Sequence, residues 1–143
     1  MSELAKIKAL VVDDDLNIRK IIKSVLMAMT IRDVTEATNG QEAYDILKVP
    51  RSSQAPGTSG TGRKKYDLVV CDWIMPVMTG IQLLEKVRAD TFLKDTPFLM
   101  VTAENDRDNI VKAIGEGVSD YVVKPFTAST LEHKLRKVLK CPK

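Results

Sequence analysis

The stretch that decides the fold runs from residue 67 to residue 76: Asp67-Leu68-Val69-Val70-Cys71-Asp72-Trp73-Ile74-Met75-Pro76. Its first half is a short apolar run rich in valine, which is typical of a strand buried on both faces of a sheet. The run ends at the carboxylate of Asp72, and Pro76 cannot extend the ladder because it lacks a backbone N–H. Ligand sites of open α/β sheets lie just beyond the carboxyl ends of the strands. The sequence therefore makes Asp72 the first candidate for a functional residue.

Outward from this stretch, a strand followed by a helix recurs until the pattern has occurred five times. The other four strands are predicted at residues 7–12, 33–37, 97–101 and 120–123. Right-handed connections between parallel strands place helices on both faces of a sheet. The pattern therefore predicts an α/β fold with a doubly wound, five-stranded parallel sheet.

The first helix is predicted from apolar residues that recur at helical spacing and form one amphipathic stripe. Its members are Ile18, Ile21, Ile22, Val25, Leu26 and Met29. We expect this stripe to face the sheet. Asp15, just ahead of it, is assigned to the start of the helix, where a negative charge is favourable.

Capping signals mark the starts of the later helices. Asn39-Gly40 is a turn signal before a short second helix, and Thr79 and Gln82 have the spacing of a capping box for the third. The fourth helix is predicted over residues 106–114, and Thr127 is expected to cap the fifth. The apolar residues that the second, third and fifth helices are expected to bury are Ala43, Ile46, Leu47, Leu83, Leu84, Val87, Leu131, Leu135, Val138 and Leu139.

One segment interrupts this alternation. Residues 50–65 are rich in Pro, Ser, Thr, Gly and basic residues. Loops in α/β units usually have about 2–6 residues, so we interpret the segment as a flexible insertion between helix two and strand three of a single domain, residues 1–143. Part of it resembles a phosphate-binding P-loop, but Arg63 and Lys64 stand where that motif needs Lys and Ser or Thr.

The composition of the 143 residues limits the kinds of partner. The apolar runs are far shorter than the roughly 20 residues that cross a bilayer, and the N-terminus lacks the features of a signal peptide. A net charge of +3 is well below that of a dedicated nucleic-acid-binding domain. Cys71 and Cys141 are too isolated to predict a disulfide or metal framework. We therefore expect a cytoplasmic protein with no nucleic-acid or membrane partner.

The positive charge is concentrated near the C-terminus. Its members are Lys134, Arg136, Lys137, Lys140 and Lys143. They are interpreted as a solvated helix face that complements the helix C-terminus, and the alternative is a surface that binds an acidic partner.

Polar side chains of complementary chemistry stand at the ends of four predicted strands. Asp13 and Asp14 follow strand one, Asp72 ends strand three, Thr102 follows strand four and Lys124 follows strand five. These ends share one edge of a parallel sheet, so we expect the side chains to converge. Neighbouring carboxylates repel unless their pKa values rise or a hard divalent cation neutralises them, and oxygen ligands suit Mg²⁺. A lysine and a hydroxyl beside them favour phosphoryl transfer, with an aspartate as a possible acceptor.

Four motifs carry a resemblance to a known family. They are Val11-Val12-Asp13-Asp14, Asp72-Trp73-Ile74-Met75-Pro76-Val77-Met78-Thr79-Gly80, Met100-Val101-Thr102-Ala103-Glu104 and Tyr121-Val122-Val123-Lys124-Pro125-Phe126. Together they resemble the receiver domain of two-component response regulators, and most of all its stand-alone chemotaxis members of the CheY type. The resemblance covers nearly the whole chain outside residues 50–65. It implies a flavodoxin-like fold with the strand order 2-1-3-4-5.

The resemblance implies a role for each residue at the predicted edge. Asp72 would accept a phosphoryl group, and Asp13, Asp14 and Asp72 would hold Mg²⁺ together with the backbone carbonyl of Ile74. Lys124, which precedes a cis proline in the family, would bind the phosphoryl group. Thr102 and Tyr121 would form a switch pair, in which the hydroxyl moves to the phosphoryl oxygen and the aromatic ring moves into the vacated space.

The resemblance also implies partners. The phosphoryl donor would be a sensor histidine kinase of the CheA type or a small acyl phosphate, and a phosphatase could act on the product. The output surface would comprise helix four, strand five and helix five, with Ile110, Tyr121, Lys134 and Lys137, and its main partner would be the flagellar motor switch. The protein would be a monomer that catalyses only its own phosphorylation and dephosphorylation.

Two other functions stay open at this point. A phosphate sink, or a regulator of a non-flagellar partner, would keep the same chemistry with a different output. Asn105-Asp106-Arg107 and Asp120 depart from the usual chemotaxis pattern and leave that output open. A Mg²⁺-dependent phosphohydrolase would need a second aspartate two residues after Asp72, where Ile74 stands. Ile74 is also apolar where chemotaxis members often carry a polar residue, so it is expected to influence the lifetime of the phosphorylated state.

Overall fold

The structure is a computed structural model that describes residues 3–52, 66–73, 75, 77–103 and 107–139. A short 3-10 helix at Glu3–Lys6 precedes the regular elements. The strands are β1 Lys8–Val12, β2 Asp33–Ala37, β3 Leu68–Asp72, β4 Phe98–Ala103 and β5 Asp120–Lys124. The helices are α1 Leu16–Ala28, α2 Gly40–Ser52, α3 Gly80–Ala89, α4 Arg107–Gly115 and α5 Ala128–Val138.

The five strands form one parallel sheet with the order β2-β1-β3-β4-β5. Every pair is parallel, so the carboxyl ends of all five strands lie at the same edge. The register pairs Val12 with Cys71, Asp72 with Val101 and Ala103 with Lys124. The predicted fold class and strand order are both confirmed.

Strand β3 is buried along its whole length and divides the core into two clusters. Val69 and Cys71 contact the cluster that α2 and α3 cover, whereas Leu68 and Val70 contact the cluster covered by α1 and α5. Successive side chains of a strand point to opposite faces, which explains this division. Each fully buried aliphatic side chain contributes about 1.5–3 kcal/mol of hydrophobic stabilisation. Core packing on both faces of β3 therefore fixes the position of Asp72 at the end of that strand.

The predicted helix caps are confirmed. Asp15 is the N-cap of α1 and accepts a hydrogen bond from the backbone N–H of Asn17. Thr79 and Gln82 form a reciprocal capping box at the start of α3. Thr127 caps α5 and accepts from the backbone N–H of Thr130. These caps satisfy backbone groups that a helix leaves unpaired, so the loops at the carboxyl edge are fixed locally.

Three predicted details are wrong. Ile21 is 46% exposed, because it lies roughly 100° around the helix from Ile22 and falls outside the stripe that faces the sheet. The second helix is longer than expected: α2 continues through Pro50 to Ser52, so the first three residues assigned to the insertion are helical. Strand β4 extends to Ala103, which places Thr102 inside the strand instead of after it.

Some predictions fall outside the described residues. The remainder of the insertion and its P-loop-like sequence lie in residues 53–65, and Cys141 lies in residues 140–143. Within the described part of the chain, no helix is both long and apolar enough to cross a membrane.

Candidate functional site

The carboxyl edge of the sheet brings three aspartates together. Asp13 follows β1, Asp14 is its neighbour in the loop to α1, and Asp72 is the last residue of β3. One carboxylate oxygen from each lies within 4.8 Å of the others. Because β1 and β3 are adjacent in the sheet, the convergence follows directly from the strand order. The predicted cluster of three carboxylates is present.

Asp13 is the most buried of the three, with 1% of its surface exposed. Its Oδ1 accepts a 2.8 Å hydrogen bond from the backbone N–H of Asp15. Its Oδ2 has no hydrogen-bond partner among the residues that the structure describes, and its closest cation is Lys124 Nζ at 3.7 Å. Burial raises the pKa of Asp13 to about 6, with a further contribution from the charge of Asp72. One buried carboxylate oxygen is thus available to a cation.

Lys124 ends β5 and reaches across the edge to the acidic cluster. Its Nζ lies 3.0 Å from Asp72 Oδ1. Burial raises the pKa of Asp72, and the hydrogen bond from Lys124 opposes that shift. Burial also disfavours the charged form of Lys124, but its hydrogen bond to Asp72 and the two nearby carboxylates outweigh this and raise its pKa. The lysine therefore keeps its charge beside the acidic cluster.

Gly80, the first residue of α3, lies close to the backbone of Asp72. The N–H of Gly80 donates to the carbonyl of Trp73 over 2.8 Å, and the N–H of Trp73 donates to the carbonyl of Val101. A Cβ at position 80 would overlap the carbonyl oxygen of Asp72 and would lie 2.9 Å from Met100 Sδ. Only glycine fits this close approach. Trp73 directly follows Asp72 and its side chain is buried, so its fluorescence is a natural reporter of binding at the acidic cluster.

The predicted switch residues lie on neighbouring strands. Thr102 is buried in β4 opposite Val123, and Tyr121 stands two residues before Val123 on β5. Residues two apart on a strand share a face, so Thr102 and Tyr121 lie on the same face of the sheet. Tyr121 is half-buried and packs against the cluster below α2 and α3. The two predicted switch residues thus lie on one face of adjacent strands, and β4, which carries Thr102, pairs with the strand that carries Asp72.

The predicted output surface has an internal acidic partner that the sequence did not reveal. Asp120 contacts the ammonium groups of both Lys134, at 3.2 Å, and Lys137, at 3.5 Å. Lys134 Nζ also lies 5.1 Å from the centre of the Tyr121 ring. The interpretation of these lysines as a solvated helix face is therefore wrong for Lys134, which is half-buried in this cluster. Ile110 lies half-buried on α4.

One predicted metal ligand lies outside the described residues, and one ion pair near the cluster was not predicted. Ile74, whose backbone carbonyl was predicted to bind the metal, lies outside the described residues. Sequence reasoning missed Arg19 and Glu36, which form an ion pair at 2.8 Å, and Arg19 also contacts the backbone of Asp13. These two residues are 17 positions apart on α1 and β2, so no local motif connects them.

The described groups form a compact electrostatic site. Three carboxylates face one ammonium, which leaves an excess of negative charge in a partly buried environment. Hard oxygen donors of this kind suit a divalent cation such as Mg²⁺. The unpartnered buried oxygen of Asp13 fits this interpretation, since a buried polar atom without a partner is costly. The arrangement can hold a cation, present a carboxylate nucleophile and bind an anion through a lysine.

Comparisons with known proteins agree with this geometry. Residues 9–136 match the family described as the response regulator receiver domain. The chain is 45% identical to the chemotaxis protein CheY of Pseudomonas aeruginosa, over 92% of this chain and 94% of the relative. It is 42% identical to the chemotaxis protein CheY-3 of Vibrio cholerae, over 92% of this chain and 90% of that protein. The high-resolution structure of the chemotaxis response regulator CheY4 of Vibrio cholerae superposes with a TM-score of 0.73 at 30% identity, covering 92% of this chain and 98% of that one.

Proposed function

The chain belongs to the response regulator receiver family, and on that premise we propose that Asp72 accepts a phosphoryl group and thereby switches an output surface. The observation that carries the proposal is the position of Asp72. It ends the central strand, lies 3.0 Å from Lys124 and shares a cluster with Asp13 and Asp14. The protein is thus a two-component signalling switch of the CheY type that catalyses only its own phosphorylation and dephosphorylation.

Receiver domains bind Mg²⁺ at an acidic cluster, and the donor set here fits that ion. Asp13, Asp14 and Asp72 would hold it, with the backbone carbonyl of Ile74 as a further ligand. The buried Oδ2 of Asp13 supports this assignment because it is available to a cation. When bound, the ion supplies positive charge that offsets the negative charge of the transferring phosphoryl group.

Asp72 and Lys124 have separate roles in the phosphoryl transfer. An Asp72 carboxylate oxygen attacks the phosphorus, forming an O–P bond while the bond from phosphorus to the donor breaks. The donor is a phosphohistidine of a CheA-type sensor histidine kinase or a small acyl phosphate, and its leaving group departs with the electron pair. The ammonium of Lys124 is within reach of Asp72 and binds the arriving phosphoryl oxygens. Asp72 must be ionised to attack the phosphorus. Burial raises its pKa, and the hydrogen bond from Lys124 lowers it and so favours the ionised form.

The signal would pass from Asp72 to the surface of α4, β5 and α5. Thr102 follows Val101, the strand partner of Asp72, and its hydroxyl would turn towards the phosphoryl group. Tyr121 on the next strand would then move inward, changing the surface that it shares with Lys134. The curated relatives are named chemotaxis proteins, so the flagellar motor switch is the proposed partner.

One observation favours a second output. Asp120 forms ion pairs with Lys134 and Lys137, and these reduce the positive charge that the surface presents to an acidic partner. A receiver that acts as a phosphate sink, or on a non-flagellar protein, would not need that charge. Capture of a motor-switch peptide with and without acyl phosphate and Mg²⁺ separates the two. Phosphorylation-dependent capture supports the flagellar output, and no capture in either condition supports the alternative.

The phosphoacceptor is tested directly by incorporation of phosphate. The protein is incubated with an acyl phosphate and Mg²⁺, and the phosphorylated fraction is measured by intact mass. We expect Asp72→Asn to abolish incorporation, because an amide oxygen is a poor nucleophile and binds the ion weakly. Asp45→Asn, on the exposed side of α2, is the matched control and should be phosphorylated like the parent. Phosphorylation of Asp72→Asn at the parental level would overturn the proposal.

A further inference from the structure

The guanidinium of Arg19 lies between the acidic cluster and strand β2. Its Nη1 donates a 2.7 Å hydrogen bond to the backbone carbonyl of Asp13. Its Nε donates a 2.8 Å hydrogen bond to Glu36 Oε1. The Arg19 side chain is only 12% exposed, so water competes little for these contacts. One side chain of α1 thus joins the end of β2 to the loop that carries Asp13 and Asp14.

The contact with Arg19 completes the restraint of the peptide between Asp13 and Asp14. The N–H of Asp13 donates to the carbonyl of Ala37, and its Oδ1 accepts from the N–H of Asp15. Arg19 holds the backbone carbonyl of Asp13. Since the Asp13 carbonyl is part of the peptide that leads into Asp14, fixing it also fixes the Cα from which the exposed Asp14 side chain extends. The distance of Asp14 from Asp72 therefore depends on Arg19.

Glu36 orients the guanidinium and offsets its charge. Glu36 stands on β2 opposite Val11 of β1, and it also contacts Lys23 Nζ at 3.4 Å. The hydrogen bond from Arg19 lowers the pKa of Glu36, so the carboxylate is ionised at neutral pH. An Arg19 cation without this partner would oppose the binding of a divalent cation to the neighbouring aspartates. Glu36 thus holds the Arg19 guanidinium in place for its hydrogen bond to Asp13, and it compensates most of the positive charge of Arg19.

We propose that Arg19, oriented by Glu36, is a positioning residue for the divalent-cation site of Asp13, Asp14 and Asp72. It touches neither the ion nor the phosphoryl group, and it acts by holding the Asp13–Asp14 peptide. The inference rests on the proposed function insofar as these three aspartates bind Mg²⁺. Residues that orient metal ligands typically change metal affinity by about 10- to 100-fold when they are replaced.

The test measures Mg²⁺ binding to the whole chain through the fluorescence of Trp73. We expect Arg19→Met to raise the dissociation constant for Mg²⁺ by about tenfold, and Glu36→Gln to raise it by a smaller factor. Arg19→Lys keeps a donor but loses the fork that spans both partners, so it should recover part of the affinity. Arg136→Met is the matched control, since Arg136 also pairs with a glutamate but lies on α5, away from the cluster. It should bind Mg²⁺ like the parent.

A second readout needs no metal. The Asp15 amide donates to Asp13 Oδ1, so its hydrogen exchange reports the order of the loop. In the metal-free protein we expect faster exchange at Asp13 and Asp15, whose amides donate to Ala37 and to Asp13 Oδ1, in Arg19→Met, with unchanged exchange in β3 and β4. An affinity within twofold of the parent, or unchanged exchange at these amides, would overturn the inference. If Arg19→Met does not fold, Glu36→Gln decides by the same criteria.

These outcomes are distinct from those that test the proposed function. A parent that binds Mg²⁺ and is phosphorylated at Asp72 supports the proposed function whatever Arg19→Met does. A parent that binds no Mg²⁺ contradicts both. Normal binding by Arg19→Met and the parent alike contradicts only the role of Arg19.

Discussion

The Lys124 ammonium lies 3.0 Å from the Asp72 carboxylate, and the same nitrogen lies 3.7 Å from Asp13. One lysine is therefore the counterion of two buried acids when no metal is bound. The two carboxylates raise the pKa of Lys124 against the effect of burial. A divalent cation would compete with this ammonium for the same oxygens. The lysine thus stabilises the metal-free fold while it opposes metal binding.

Replacing Lys124 tests this dual effect. Lys124→Met removes the counterion, so we expect a lower free energy of unfolding without metal, measured by urea denaturation. We also expect roughly tenfold tighter Mg²⁺ binding in the Trp73 fluorescence assay, because a neighbouring positive charge has been removed. Phosphate incorporation at Asp72 should slow, since the lysine no longer binds the phosphoryl oxygens. The exposed Lys20→Met on α1 should leave all three quantities unchanged. Unchanged Mg²⁺ affinity in Lys124→Met would show that the ammonium does not compete.

The burial of Asp13 predicts a dependence of stability on pH. Its pKa is raised from 3.8 to about 6 in the folded protein, so the folded state binds this proton more tightly than the unfolded state does. The metal-free fold therefore loses stability as the pH rises from the unfolded-state pKa of 3.8 to the folded-state pKa of about 6. Above pH 6 the full destabilisation is present, and well below 3.8 there is none. We expect Asp13→Asn to raise the free energy of unfolding at pH 8 by on the order of 2 kcal/mol, and to leave it unchanged near pH 4.

The control for Asp13 is an aspartate outside the cluster. Asp33→Asn changes an exposed residue of β2 and should show no comparable gain at pH 8. Saturating Mg²⁺ should remove the advantage of Asp13→Asn, because the parent then gains stability from the bound ion and the variant gains less. An Asp13→Asn variant that is no more stable than the parent at pH 8 without metal would contradict the assigned cost of burial.

The sequence predicted the acidic cluster because its origin is local. An apolar run that ends at a polar residue identifies a strand end, and the parallel sheet then brings the ends together. This reasoning found Asp13, Asp72 and Lys124 without knowledge of any contact. The family resemblance added the strand order, the roles of these residues, and the candidates Ile74 and Tyr121, which no strand-end pattern indicated.

Contacts between elements could not be predicted in the same way. Asp120 pairs with Lys134, 14 positions away, and Arg19 pairs with Glu36 across two elements. Such pairs depend on how two surfaces meet, which no short motif encodes. The wrong placement of Ile21 has a related cause, since the stripe on α1 included one residue too far around the helix. Periodicity gives the buried face of a helix but not the edges of that face.

Gly80 provides a steric test of the loop that follows Asp72. A Cβ at this position would overlap the carbonyl oxygen of Asp72 and crowd Met100 Sδ. We expect Gly80→Ala to destabilise the fold by about 2–3 kcal/mol and to slow phosphate incorporation, because the backbone of Asp72 must shift. Gly115→Ala is the matched control: nothing lies within 4 Å of its added Cβ, and alanine favours the helix. It should be neutral or slightly stabilising. Equal effects of the two substitutions would contradict the close approach at Gly80.

Val77 carries backbone strain at the same edge. Its φ is +70°, in the left-handed region that a β-branched residue rarely adopts, and its side chain is 79% exposed. An exposed valine gains little from packing that could offset this strain. Asparagine tolerates the left-handed region, so we expect Val77→Asn to raise the free energy of unfolding by about 1 kcal/mol in urea denaturation.

Thr30 is a second residue with a positive φ, and it provides a comparison for Val77. Thr30, just after α1, has a φ of +73°, is exposed and lies outside the acidic cluster, so Thr30→Asn should stabilise by a similar amount. Thr91→Asn, an exposed turn residue without a positive φ, should not. Because Val77 is also in the loop after Asp72, the two stabilised variants differ in one respect. Only Val77→Asn relaxes the backbone beside the phosphoacceptor, so only it should also alter the rate of phosphate incorporation. Stabilisation of Thr91→Asn to the same extent would show that the gain comes from asparagine itself and not from relieved strain.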